Sequence, residues 1–378
     1  MRYRWIVLAA GVTAQASFSA IIFGVAVVAP ALRAHYGISL EETGLALAAP
    51  SLGSLITLVA WGHLADRIGE RPVSVFGLGT AAGALAGCAL TPSFAALIAL
   101  LVAAGALGSS ASAASGRAVM FWFERRQRGL ALGIRQTAVP LGGLVASLGL
   151  AHLDLGQAFA LLATFCGLGA AASLLMREAP ALPPEEEIRA ERHPLRDRRV
   201  LRLLGGSMLL IVGQASATGF TVLYLHERHG VSVGVAAGIL AGAQALGGAL
   251  RIAVGHRSDR IGSRVGPLRV LAFALAAALF LTAAVSAGPA GVAAAVLLLA
   301  GALGMSWNGL SFTAATELSG HAQAGAAVGV QQSALNAAAA FVPILFSAVV
   351  AATTWGAAFA LAALGPLTAG WLLRRLTV

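Results

Sequence analysis

Apolar runs of about 20 residues, the length a helix needs to cross a bilayer, recur along the whole chain with short polar turns between them. Hydrocarbon offers the backbone no water, so every N–H and C=O must be satisfied within the run, as a helix does. The class is therefore a polytopic α-helical membrane protein. Composition agrees. Of 378 residues 58% are hydrophobic and 11% charged, where a soluble chain carries roughly a quarter charged. The 46 glycines and many alanines let membrane helices approach closely.

The runs divide into twelve spans, at about 5–32, 39–61, 73–90, 94–123, 129–150, 156–176, 203–225, 233–254, 268–286, 291–315, 326–350 and 355–373. Ser39 with Glu42 forms a capping-box signature that starts span 2. The apolar stretch after Arg2 and Arg4 continues to about Leu32, too long for a signal peptide, so it reads as an uncleaved first span. Residues 177–202 are polar: Pro-rich, then acidic through Glu185, Glu186 and Glu187, then basic through Arg196, Arg198 and Arg199. They read as a cytoplasmic linker carrying an interfacial helix between residues 1–176 and 203–378.

Net charge is +10, and all 25 basic residues are arginine. They gather in alternate loops, which is the positive-inside pattern and not a nucleic-acid-binding face. With both termini in the cytoplasm, twenty arginines fall on the cytoplasmic side and two, Arg33 and Arg228, on the other. Arg117, Arg135 and Arg251 lie within spans. Cys88 and Cys166 sit in apolar segments without a CxxC pattern and say nothing of redox compartment.

A charged stretch, Gly62-His63-Leu64-Ala65-Asp66-Arg67-Ile68-Gly69-Glu70-Arg71, separates spans 2 and 3. It returns 193 positions later (255 − 62) as Gly255-His256-Arg257-Ser258-Asp259-Arg260-Ile261-Gly262-Ser263-Arg264. Gln15-Ala16-Ser17 returns as Gln214-Ala215-Ser216, and Gly129-x-Ala131-x-Gly133 with Gln136 returns as Gly325-x-Ala327-x-Gly329 with Gln332. Three matches at nearly constant spacing mean two parallel copies of a six-helix unit.

Gly62-x-x-x-Asp66-Arg67-x-Gly69-x-Arg71 resembles the signature between helices 2 and 3 of the major facilitator superfamily, and Gly255 to Arg264 occupies the matching place between helices 8 and 9. The resemblance covers the whole chain. It implies an all-α fold of two pseudo-symmetric halves that alternately open to either side of the membrane. It implies gating by Gly62, Asp66, Arg67, Arg71, Gly255, Asp259 and Arg260. Gly62 would let span 2 pack tightly on a neighbour, and Asp66 would face the positive N-terminal end of span 11 near Gly325. The stretch Trp122 to Gly133 is similar to the loop entering helix 5 in the oxalate/formate, monocarboxylate and cyanate-permease-like branches. Arg251 matches the arginine that organic-anion carriers use to hold a carboxylate; Leu58 stands at its place in the first copy. The lysine that oxalate-type carriers add on helix 11 has no counterpart. Neither does the helix 4 arginine of drug/proton antiporters, where Leu100 and Leu101 stand. The glycine-proline signature of those antiporters survives only as Ala138-Val139-Pro140-Leu141-Gly142-Gly143.

The superfamily binds solutes near the midplane. The polar residues at that depth are Gln15 and Ser19, Arg135 and Gln136, Gln214, Arg251, Trp307 and Asn308, and Gln332 and Asn336, with Ser17, Thr218 and Gln244 beside them. An unsatisfied amide in hydrocarbon costs several kcal/mol, so each faces a cavity or another polar group. The plainer role is interhelical bonding, worth about 0.6 kcal/mol apiece. Intramembrane arginines cost roughly 3 kcal/mol to insert and mark function. Arg117 and Arg251 lie near enough to a helix end to snorkel; Arg135 is deeper. All fifteen Asp and Glu and all eight His map to loops or helix ends. Positive charge without internal counter-charge points to a small organic or inorganic anion as the solute. The alternative is a drug or metabolite efflux antiporter of the same fold. An intramembrane enzyme lacks a metal cluster or nucleophile–base pair, and a channel would not need the duplicated hairpin. The expectation is a monomeric transporter without cofactor, in the cytoplasmic membrane, with only the solute and the lipid bilayer as partners.

Overall fold

The computed structural model describes residues 3–177, 196–320 and 323–376, with the side-chain surroundings of all of these but residues 125, 126, 128, 129, 324 and 325. The interfacial helix expected in the linker lies outside the described residues. The described chain is α-helical, with no strand: α1 (Tyr3–Tyr36), α2 (Leu40–Ile68), α3 (Glu70–Cys88), α4 (Phe94–Gly108), α5 (Ser110–Trp122), α6 (Arg125–Gln136), α7 (Ala138–Leu150) and α8 (Leu155–Ser173). Then follow α9 (Arg198–His229), α10 (Val233–Ile261), α11 (Val265–Ala284), α12 (Ala290–Ser306), α13 (Asn308–Ser319), α14 (Ala324–Ala352) and α15 (Trp355–Leu372).

Three expected spans are each two helices. Span 4 breaks at Ser109, span 5 at Thr137 and span 10 at Trp307. The cause is local at Thr137. Pro140 has no N–H, so the carbonyl of Gln136 loses its partner one turn on. Joined across their breaks, these pairs bring the spans to twelve. Ten described helical segments are long and apolar enough to cross a membrane. Of the remaining two spans, α3 opens with Glu70 and Arg71, and α6 carries four arginines.

The charged stretches are not turns either. Gly62 to Ile68 and Gly255 to Ile261 form the last two turns of α2 and α10, and the chain reverses at Gly69 (φ 87°) and Gly262 (φ 68°). A side chain at those φ values is strained, so the repeated glycine is required there. The Ser39 capping box is present: Glu42 N–H donates to Ser39 Oγ at 3.1 Å, and Ser39 N–H to Glu42 Oε2 at 2.7 Å. Ser232, 193 positions later (232 − 39), caps α10 through its side chain alone, accepting from Val235 N–H at 3.4 Å.

The bundle is apolar outside and partly polar inside. Ile56, Val59, Phe76, Ile252 and Val270 are exposed, while Ser74, Arg135, Gln244 and Arg251 are buried. A surface of that kind suits lipid and not water. The end of the bundle carrying the α2–α3 and α10–α11 turns is called the hairpin end, and the other the far end. At the far end α2 lies against α14: a Cβ on Gly44 would stand 1.9 Å from Ser347 Oγ and 2.7 Å from the Pro343 carbonyl. Arg33 pairs with Glu227 there at 2.5 Å, and His152 lies on Gly234. At the hairpin end Val328 of α14 packs on Leu8, Val119, Phe123, Ala131 and Leu132. The two halves are therefore in contact at both ends.

Candidate functional site

The midplane residues sort into four bonded groups. In the first, α1, α5 and α6 converge. Ser112 donates to Gln15 Oε1 at 2.8 Å. Arg135 donates from Nε to Ser115 Oγ at 2.9 Å, and from Nη2 to the Ser112 carbonyl at 2.8 Å and to Gln15 Oε1 at 3.2 Å. Gln15 reaches Ser19 Oγ at 3.5 Å.

The second group repeats the first. Asn308 Nδ2 donates to Gln214 Oε1 at 3.0 Å, and Gln331 Nε2 to Ser311 Oγ at 2.6 Å. Positions 112, 115 and 135 become 308, 311 and 331, a shift of 196 each time (331 − 135), so the bond 135–115 recurs as 331–311. The scaffold is therefore the same in both copies and the charge is not: the first holds arginine where the second holds glutamine.

The third group joins the two copies. Arg251 of α10 donates from Nε to the Met305 carbonyl at 3.0 Å and from Nη2 to the same oxygen at 2.5 Å. Its Nη1 donates to the Gln136 carbonyl, the one freed by Pro140. Met305 stands two residues before the Trp307 break. One arginine thus caps two interrupted helices, which is why it is buried without snorkelling. Gln136 serves through its main chain and not its amide. In the fourth group Gln332 donates to Asn336 Oδ1 at 3.0 Å, and Asn336 to Ser54 Oγ of α2 at 2.9 Å. The first is a bond within α14; the second alone ties α14 to α2. Trp307 is fully buried, and its indole N–H has no partner among the described residues.

The hairpin end corrects several expectations. A Cβ on Gly62 or Gly255 would meet nothing within 4 Å, so neither glycine serves close packing. Arg67, Arg71 and Arg260 are exposed and bond to none of the described residues. Asp66 instead accepts from Arg117 Nε at 2.9 Å, while Arg117 Nη1 donates to buried Glu70 at 2.5 Å. Arg117 does not snorkel; it ties α5 to the α2–α3 turn. The side-chain surroundings of Gly325, offered as the partner of Asp66, lie outside the described residues. In the second copy the signs are exchanged. Arg264 on the turn bonds to Glu317 of α13 at 2.9 Å and to Asp259. Burial opposes the charge of Arg264, but the two carboxylates outweigh it and hold the guanidinium above its ordinary value.

Sequence reasoning missed Glu70, Arg117 as a pairing residue, Arg264 and Glu317, as well as Ser112, Ser115 and Met305. The 196 spacing applied to Asn308 would have found Ser112. Pro140 marks the Gln136 carbonyl four residues earlier as unpartnered, but no spacing could have brought Arg251 to it.

Comparison with known proteins adds the following. The profile of the Major Facilitator Superfamily matches residues 9–343. An uncharacterized MFS-type transporter of Mycobacterium tuberculosis (strain H37Rv) is 34% identical over 375 residues, covering 97% of this chain and 84% of its own. Its counterpart in strain CDC 1551 gives the same figures. Among solved structures, the partially occluded, inward-open xylose transporter XylE of E. coli superposes with a TM-score of 0.79 at 16% identity, covering 100% of this chain and 98% of that one. A bacterial homolog of the human lysosomal transporter Spinster, inward-facing and occupied, gives 0.79 at 15%, covering 99% and 97%. The nucleoside transporter NupG, as a mutant, gives 0.72 at 13%, covering 98% and 99%.

Proposed function

The chain belongs to the major facilitator superfamily and is a multi-pass membrane transporter, and from that premise we propose that it carries a small organic or inorganic anion by alternating access. Residues 1–176 rock against residues 203–378 about the 177–202 linker, in the cytoplasmic membrane, with the hairpin end and both termini inside. The protein works as a monomer.

One observation carries the anion reading. Arg135 and Arg251 are 3% and 6% exposed, and every group they bond is neutral. Hydrogen bonds satisfy a guanidinium's donors without cancelling its charge. Among the described residues the one buried acid is Glu70, at the hairpin end and held by Arg117. A solute carboxylate or inorganic oxyanion would supply the missing charge, with a bidentate geometry that a single carbonyl does not offer a guanidinium. The carbonyls of Gln136 and Met305 hold Arg251 until the solute arrives, while Gln15, Ser19, Gln214, Trp307 and Asn308 select by hydrogen bonding. The test is uptake into proteoliposomes of a panel of small carboxylates and oxyanions against lipophilic drugs. Arg135→Gln and Arg251→Gln should each lower anion uptake at least tenfold. Unchanged uptake in both variants, or drug export without anion flux, favours the efflux alternative.

Alternating access has its own expected result. Closing the far end requires Gly44 against Ser347 and Pro343. Gly44→Val should hold that end open, so spin labels at Glu41→Cys and Ala352→Cys should move apart relative to the parent. Cys88 and Cys166 are buried and leave the labels specific. An unmoved distance distribution would count against rocking at this seam.

A further inference from the structure

The seam between α10 and the broken α6–α7 helix has a regular register. Gln244 lies on Gly143, Gly248 on Pro140, and Arg251 on the Gln136 carbonyl. Residues 244, 248 and 251 share one face of α10, while 143, 140 and 136 run the opposite way. The Gln244 amide lies flat on Gly143: a Cβ there would be 2.5 Å from Nε2, 2.6 Å from Cδ and 3.0 Å from Oε1. Gln244 is 0% exposed, and neither Nε2 nor Oε1 has a hydrogen-bond partner among the described residues. Ser147, one turn beyond Gly143 on α7, is also 0% exposed and has no partner among the described residues.

Burying an amide with nothing to bond is unfavourable, most of all where lipid surrounds the protein. Methionine has nearly the same length and flexibility and would fill the slot without that penalty. The closed seam therefore gains nothing from an amide at this position. The amide has a use only where the seam is parted. There Gln244 and Arg251 stand two turns apart on one stripe, about 10 Å along the helix.

We propose that Gln244 is a solute-contacting, specificity-determining residue of the state in which α7 and α10 separate at the far end, reading a hydroxyl or carbonyl on a solute whose anionic group is held near Arg251. This rests on the anion reading for the role of Arg251 but not for the stranded amide itself. The solute class is a carboxylate bearing a second polar group. Closing the seam strips the amide of that partner, so the closed state carries a built-in bias toward reopening.

The test uses the full-length protein with Gln244→Met. Thermal midpoints in detergent and the Glu41/Ala352 label distances need no solute. The variant should melt a few degrees higher and shift toward the closed far end. In proteoliposomes, acid pairs differing by one hydroxyl (acetate and glycolate, propionate and lactate, succinate and malate) should be discriminated at least fivefold by the parent and not by the variant. A lower midpoint in Gln244→Met overturns the proposal, because it would make the amide a structural tie. A parent-like discrimination in the variant overturns it as well. Failure of the anion reading looks different: the parent moves none of the acids, while the midpoint and the distances still decide whether the amide is stranded.

Discussion

Replacing Arg117 with methionine should cost the fold about 3–5 kcal/mol, the usual effect of leaving one member of a buried ion pair behind. The residue left behind is Glu70, whose side chain is 2% exposed and accepts from Arg117 Nη1 at 2.5 Å. Asp66 adds little, since its side chain is 65% exposed and solvent screens it. Arg117 also lies over the Phe121 ring at 4.3 Å, a contact the methionine keeps only in part. The second copy supplies the control. There arginine is on the turn and glutamate on the helix, as Arg264 and Glu317, 2.9 Å apart. Combining Glu70→Arg with Arg117→Glu should therefore recover most of the melting temperature lost by Arg117→Met, while Glu70→Arg alone, which sets two arginines together, should not. A melting temperature for Arg117→Met equal to the parent would show that Glu70 finds water.

Gly105→Ala should be as damaging, for a steric reason. A Cβ at that position would stand 1.9 Å from the Pro50 carbonyl oxygen and 2.5 Å from its Cα. Across the same seam, a Cβ on Gly53 would stand 1.9 Å from the Val102 carbonyl. Both obstacles are main chain, so no rotamer relieves them, and α2 has to move off α4. That move breaks the bonds from Thr57 Oγ1 and Trp61 Nε1 to the Ala106 carbonyl, at 2.7 and 2.6 Å. Overpacking costs about 1–3 kcal/mol where side chains yield, and this site should lie at or beyond the top of that range. The expected readout is loss of the monodisperse peak after detergent extraction. Gly79→Ala and Gly83→Ala on α3 meet nothing within 4 Å and should be neutral or slightly stabilising. If Gly105→Ala melts with those controls, the two helices are less tightly joined than their geometry requires.

Much of the fold was legible because its signals are local. Runs of apolar residues mark spans whatever they pack against. Ser39 and Glu42 form their capping box from four consecutive residues. The 193 spacing of the charged stretches returned as matching glycine turns at Gly69 and Gly262. Less of the site could be read. Gln15, Arg135, Gln214 and Asn308 were named from their depth, and the structure bonds Arg135 to Gln15 and Asn308 to Gln214. Asn336 was named on the same ground and ties α14 to α2 through Ser54. Depth in the membrane is a function of position along the chain; the direction a side chain faces is set by how each helix is rotated against its neighbours.

The charged stretches show the same division. Asp66 and the glycine turns follow from the repeated motif, but the partner of Asp66 is an arginine 51 positions away on another helix, and no local pattern pairs them. By itself the sequence determined that this is a membrane bundle of twelve spans in two related copies, because hydropathy and repeat spacing belong to the chain whatever its contacts. The tertiary structure alone decided that Arg251 rests on the carbonyls of Gln136 and Met305 and that Gln244 lies unpaired on Gly143. The physical reason is that which side chain reaches a given carbonyl depends on how the helices are set against one another, and an amide becomes stranded only where two helices close over it.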